Sequence, residues 1–294
     1  GLVVMALAWA AVQGRRRMAA ALALLLFAGA AGLLVINLPA GSAALREAPV
    51  IGRFAQIGET GLGSQAARLR IWDSSTRLVG HDPARLVTGY GPETLRYALL
   101  PVAEANMGGR AQADRLVDRA HNELLDALTM TGLLGAAALL LTFGAWLLTA
   151  TRALGLASLP SDRRRMVGLM ILGAVLGSSG ALLAGSPAYA AALALLGFLT
   201  GAGVFLLFSA LRAEPLPDED AETEADDGGT FDDEAAPGSE PLLLGLLGIG
   251  AALVVEAAFG IQTVATVTLF WALAGLLHAT AGTATEEPLE AASA

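Results

Sequence analysis

The chain has no cysteine, no lysine and only three histidines, and Asp, Glu and Arg together make up 15% of its 294 residues. Without cysteine there can be no disulfide and no thiolate metal site. Without lysine, all 18 basic residues are arginine. Phosphate recognition would use arginine in this way, but a GC-rich coding bias raises Arg, Ala, Gly and Leu together and explains the excess without function. No phosphate-cradling glycine loop, no basic nucleic-acid patch and no repeat at periods of about 20–50 residues is found. What fills the chain is apolar. Hydrophobic residues make up 55% and the mean hydropathy is +0.61, a balance that belongs to polytopic membrane proteins.

The formal net charge of −9 is concentrated in one stretch. Residues 212–240 carry twelve Asp and Glu against one Arg, so the rest of the chain is close to +2. Rich in Pro, Gly, Asp and Glu and nearly free of apolar residues, this stretch predicts a disordered linker. Its Asp218-Glu219-Asp220 triplet looks like a metal ligand set only superficially.

A hydrocarbon core of about 30 Å needs about 20 apolar residues in helix, and lipid leaves the backbone no partner but itself. Apolar runs at 18–38, 127–150, 166–184, 188–211, 241–259 and 262–280 predict six full spans, and 2–13 a truncated one. The opening GLVVMALAWAAVQ lacks the charged start of a signal peptide and reads as the end of a helix whose upstream neighbours are missing. The fold class expected is all-α, a polytopic transmembrane helix bundle with a long, partly helical extracytoplasmic loop. Its divisions are 1–38 and 127–211 for spans, 39–126 for the outer loop, 212–240 for the linker, 241–280 for a closing hairpin and 281–294 for a cytoplasmic tail. Arg15–Arg17 and Arg163–Arg165 flank spans and belong in the cytoplasm by the positive-inside rule. They lie an even number of spans apart, so both agree on an inner-membrane protein with 39–126 outside.

That outer loop holds ten of the eighteen arginines and, over 39–124, nine acids. Helical stretches are expected at 64–79 and 111–126, with turns at His81-Asp82-Pro83, Tyr90-Gly91-Pro92 and Met107-Gly108-Gly109. A loop of this length with its own structure is more often functional than a connector. With about 100° per residue, Arg68 falls in the apolar stripe of Ile71, Trp72, Ser75, Leu78 and Val79, opposite Arg70, Asp73 and Arg77. On a helix over 113–128, His121 falls among Val117, Leu124, Leu125 and Leu128, flanked by Asp118 and Asn122 and opposite Arg115, Arg119, Glu123 and Asp126. An inward arginine needs a carboxylate, carbonyls or an anionic ligand. An ion pair with Asp118 or Glu93 is the plain alternative for Arg68, and a satisfied core histidine the plain alternative for His121.

Together the two suit one task. Guanidinium grips phosphate oxygens bidentately at any pH, and imidazole can take a proton from a hydroxyl near neutrality. Asp118 could orient the ring. Glu256 is the one charge inside an expected span, where an ionisable group is a functional candidate. His81 reads as a turn residue and His278 as interfacial; Gly245, Gly248 and Gly250 suit close helix packing.

RLRIW (68–72), GYGPETL (89–95) and DRAHNELLDALTMTGLLG (118–135), in that order within one outer loop, resemble the O-antigen ligase and O-antigen polymerase superfamily. EAAFGIQTVATVTLFWALAG (256–275) looks like the closing helix of many members. The resemblance implies a membrane glycosyltransferase that acts outside the cytoplasmic membrane without cofactor or divalent metal. Its donor is an undecaprenyl-diphosphate-linked glycan and its acceptor a hydroxyl on a glycan, lipid or protein; membrane lipids are its other partners. It implies Arg68 and His121 as catalytic. Beside them the residues themselves offer Arg70 as a secondary phosphate contact, Tyr90, Glu93, Asp118 and Asn122 around the substrate, and Glu256 as a further candidate. The family also uses an arginine further upstream that has no match here, so the catalytic set of a fragment would be incomplete. Two other readings stand beside ligase activity: polymerase-type activity with a different acceptor, and a non-enzymatic transporter or flippase. The last would distribute polar residues along the spans, which are nearly free of charge.

Overall fold

The computed structural model describes residues 1–37, 64–103, 117–213, 239–260 and 263–291. The expected turn at Met107-Gly108-Gly109 and residues 214–238 of the acidic linker lie outside them. Among the described residues all regular structure is helical. In chain order the helices are α1 (Leu2–Val12), α2 (Arg16–Asn37), α3 (Ser64–His81), α4 (Pro83–Thr88), α5 (Leu95–Ala98), α6 (Leu100–Ala103), α7 (Glu123–Ala153), α8 (Pro160–Leu183), α9 (Ala190–Arg212), α10 (Glu240–Phe259) and α11 (Val264–Ala291).

Five of these are long and apolar enough to cross a membrane: Glu123–Ala153, Pro160–Leu183, Pro187–Arg212, Glu240–Phe259 and Val264–Gly282. They coincide with the last five of the six runs read from the sequence. The chain is a multi-pass membrane protein on this length and composition. The run at 18–38 corresponds to α2, and 2–13 to the short apolar α1. Residues 256–275, expected as one closing helix, are divided between α10 and α11, because α10 ends at Phe259 before Gly260. The helix α11 also continues past residue 280, where a tail was expected.

Contacts sort the helix ends into two sets. At one end, Gln13 Nε2 donates to Glu240 Oε1 at 3.3 Å, Arg16 Nε donates to the Ala213 carbonyl, and Arg152 shares a cavity with His278. Both arginine triplets lie at helix ends on this side. At the other, Trp72 of α3 stacks edge-on against Tyr189, just before α9, and Asn122 reaches the last turn of α10. Helix α3 and the described parts of the 39–126 segment therefore gather over the end opposite the arginine triplets.

The core lies between α1, α7, α9 and α10, around Phe143, Trp146, Leu195, Phe198, Leu247 and Val254. Trp146 donates from Nε1 to the Leu246 carbonyl at 3.0 Å. A Cβ on Gly250 would stand 2.3 Å from that nitrogen, whereas one on Gly245 would meet nothing. Leu134, Leu141, Leu176 and Trp271 stay exposed, as apolar residues facing lipid should.

The tightest packing joins α8 to α9, through four glycines. A Cβ on Gly173 would stand 2.0 Å from the Gly197 carbonyl oxygen, one on Gly177 2.0 Å from that of Leu193, and one on Gly201 2.1 Å from that of Leu169. Small residues four apart on both helices bring the two backbones together, the usual source of affinity between helices in lipid.

Candidate functional site at the loop end

Helix α3 forms because residues 64–81 repeat apolar positions at helical spacing, and its inner face is the expected one. Ile71, Trp72, Ser75 and Leu78 are buried, and so is Ser74. On the wet side Arg77 pairs with Asp73 at 3.0 Å. Arg68 begins the same stripe but lies one turn ahead of Trp72, beyond the covered part of the face, and is exposed. Its flexible stem carries the charge out to solvent, and Nη1 donates to the Phe259 carbonyl at 3.4 Å. A cation beside the last carbonyls of α10 is favourably placed against the helix dipole.

The expected helix across 111–126 is absent at 117–122 and present only from Glu123. Residues 117–122 are irregular, and α7 starts at Glu123. The reason is Asn122, whose extended backbone and side-chain Oδ1, accepting from Leu125 N at 2.8 Å, make it an N-cap. Glu123 and Asp126 in the first turn complete the helix-start signal. His121 consequently owes its position to the loop, not to a helical face.

The loop is pinned on every side of that histidine. Trp72 Nε1 donates to the Ala120 carbonyl at 2.7 Å. The Ala120 amide donates to Asp126 Oδ1 at 2.7 Å. Asn122 Nδ2 donates to the Ala258 carbonyl at 2.8 Å. Between these anchors His121 takes φ of 58°, a left-handed conformation that costs a side-chain-bearing residue free energy and persists only where the surroundings impose it. Glu93 does the same with φ of 57°.

His121 is half-buried, and its pKa lies below the ordinary histidine value. Burial is the largest cause and the Arg68 charge the next, with Asp118 pulling in the opposite direction. The ring is thus biased towards the neutral form, which has a free acceptor nitrogen. Arg68, His121 and Asp118 share one electrostatic neighbourhood. Among the described residues Asp118 makes no hydrogen bond to the ring, and Arg68 has no carboxylate partner. Glu93, considered as a partner for Arg68, instead pairs with Arg119 at 2.6 Å. Arg70 is exposed on α3, and Glu256 is half-buried in the last turn of α10, whose terminal carbonyls Arg68 and Asn122 hold.

No protein-family model, curated protein or solved structure matches the chain. The functional reading therefore rests on the residues themselves.

Two residues expected at the substrate act as joints. Asn122 is fully buried with both ends of its amide bonded. Tyr90 donates its hydroxyl to the Leu78 carbonyl at 3.1 Å and its backbone amide to the Thr129 carbonyl at 2.8 Å. Burial raises its pKa, Asp82 adds to this, and Arg85 opposes it. The turn at 89–91 docks on a kink in α7, where Gly132 has φ of 69° and ψ of −162°. A straight helix would give the carbonyls of Thr129 and Met130 to amides four residues on; here Tyr90 N and Gly91 N take them, at 2.8 and 2.9 Å. His81 ends α3, and Asp82 caps α4 through Ala84 N at 2.9 Å, the turn expected there. Among the described residues no three His, Asp or Glu side chains gather as a metal ligand set.

Three contributors go beyond the sequence expectations. Trp72, expected only as part of an apolar stripe, anchors the loop; Asp126, expected on the wet side, is buried; and Gly132 kinks a helix expected to be continuous. The run Asn122-Glu123-x-x-Asp126 carried the signal for the first two, since it announces a helix start that takes residues 117–122 out of the helix.

Proposed function

We propose that the chain is a membrane glycosyltransferase of the O-antigen ligase type, with its site on the extracytoplasmic face of the cytoplasmic membrane. In this reading Arg16–Asn37 is a sixth span. The observation that carries it is an exposed Arg68, with no carboxylate partner among the described residues, beside a His121 whose pKa is lowered by burial and by that same arginine. An isolated structural histidine would gain nothing from a neighbouring cation. An anion-binding arginine beside a general base has two jobs to do on one substrate.

Arg68 spends one of its five N–H donors on Phe259, and the remainder bind the diphosphate of a lipid-linked glycan. As the bond from the anomeric carbon to the phosphate oxygen breaks, charge accumulates on the departing diphosphate, and the guanidinium stabilises it. The neutral imidazole of His121 accepts the proton of the acceptor hydroxyl as its oxygen bonds to the anomeric carbon. Arg70 adds a phosphate contact, and Asp118 supports the imidazolium that forms. Substituting a bound divalent metal is not required of any residue in this scheme.

The test is glycan transfer from a lipid-diphosphate donor in proteoliposomes. Arg68→Ala should lower the rate by roughly 10²–10³-fold and His121→Asn, which tolerates the left-handed backbone, by roughly 10²–10⁴-fold. Normal transfer by both variants at wild-type expression defeats the mechanism. Transfer should also survive EDTA, and inhibition by the chelator would count against the metal-free scheme.

A further inference from the structure

We infer that the cleft between α8 and α9, at the arginine end of the bundle, binds the headgroup of an anionic phospholipid. The inference is independent of the glycosyltransferase reading. The cleft encloses about 620 Å³, within the usual range of about 300–1,000 Å³ for ligand pockets. Its lining combines two chemistries: Leu169, Phe205 and Phe208 are apolar, and Arg165, Arg212 and Asp162 are charged. A phospholipid presents the same combination, with acyl chains joined to a phosphate. A free phosphate would leave the aromatic part of the wall unused.

The charges favour an anion. Asp162 engages Arg165 at a long 3.4 Å, and the Arg165 side chain remains 62% exposed, so this pair leaves guanidinium donors available. Arg212 lies with its guanidinium carbon 5.9 Å from the Phe208 ring centre and, among the described residues, has no acid partner. Arg212 therefore sits directly beside apolar surface and Arg165 lines the same cleft, an arrangement in which basic pockets between transmembrane helices take up anionic headgroups. The close approach of α8 and α9 through Gly173, Gly177, Gly197 and Gly201 holds the two arginine-bearing ends in a fixed relation.

The experiment uses the full chain in a neutral detergent, titrated with phosphatidylglycerol or phosphatidylcholine and followed by native mass spectrometry. Wild type should retain phosphatidylglycerol in preference to phosphatidylcholine. Each arginine near an anionic surface is worth roughly a factor of five, so Arg165→Gln with Arg212→Gln should weaken phosphatidylglycerol roughly 30-fold. Arg77→Gln, at the other end of the bundle, should change nothing. Equal phosphatidylglycerol affinity in the double variant overturns the proposal, and so does equal affinity of wild type for the two lipids. Displacement of the lipid by inorganic phosphate at tens of millimolar would overturn it in favour of a free-phosphate site. Photo-crosslinking of a phosphatidylglycerol analogue to wild type gives a readout that needs no variant to fold: labels should map to peptides containing Leu169, Phe205 or Phe208, and labelling only elsewhere refutes the site.

Discussion

Replacing Gly132 by alanine should be among the most damaging single changes at the loop end, although it adds one methyl group. Two routes are open to the variant. If the kink is kept, the alanine must hold φ of 69° with ψ of −162°, a region open essentially to glycine alone and costing roughly 1–3 kcal/mol. Its Cβ would also stand 2.2 Å from the Val87 carbonyl oxygen, a backbone atom that cannot turn aside. If α7 straightens instead, the carbonyls of Thr129 and Met130 return to the helix, and the amides of Tyr90 and Gly91 lose their partners. Two such losses cost about 2 kcal/mol together, and the 83–99 segment comes away from the bundle. Either route puts the loss at about 2–4 kcal/mol. Gly89→Ala attacks the same joint from the other side, with φ of 73° and a Cβ 2.3 Å from the Met130 carbonyl. Because the two glycines share one contact, their effects should fall well short of additive. The assay is unfolding in mixed micelles of increasing SDS fraction, paired with limited proteolysis between residues 83 and 99. Wild-type stability and protection in Gly132→Ala, or full additivity in the double variant, would refute the idea that kink and turn form one unit.

Trp72→Phe keeps an aromatic ring but removes the indole N–H bonded to the Ala120 carbonyl, leaving a buried acceptor unpaired at about 1–3 kcal/mol; hydrogen exchange of amides 120–122 should accelerate, and unchanged exchange would count against the anchor. Gly173→Ala and Gly201→Ala force α8 and α9 apart and should each cost roughly 1–3 kcal/mol, read by the same SDS titration. For His121, the folded-state pKa is depressed, so the folded chain binds the proton less readily than the unfolded one. Its contribution to stability is complete above the ordinary histidine value and is lost as pH falls towards the folded value. The transfer rate should likewise rise with pH, with its midpoint below the ordinary histidine pKa. Arg68→Gln removes one of the lowering causes and should shift that midpoint, or the imidazole NMR titration, upwards; a downward shift contradicts the assignment.

Spanning helices were legible because nothing but an apolar run of about twenty residues solves the backbone problem in lipid. The inner face of α3 was legible for a related reason: Ile71, Trp72, Ser75 and Leu78 repeat at the helical period. Periodicity failed at 117–122, where Val117 continues the helical spacing of Leu124 and Leu125 but Asn122 starts the helix only at Glu123. Local capping chemistry overrules the pattern there, and with it the expectation of an inward helical face for His121. What the sequence could not contain was the pairing across long separations. Arg119 with Glu93, Trp72 with Ala120 and Asn122 with Ala258 depend on three segments meeting over the end of the bundle. The glycines of α8 and α9 were visible as spacings, but only the opposing backbone shows which of them touch.

The last turn of α10 is held by two residues from the distant 64–122 region: Asn122 takes the carbonyl of Ala258, and Arg68 takes that of Phe259. A chain cut after Arg212 would keep every loop residue invoked here, yet would remove the surface against which the histidine and the arginine are registered. Loss of activity on deleting the terminal hairpin would then report a lost template, and adding the hairpin back as a separate polypeptide should restore what no side-chain substitution in the loop could.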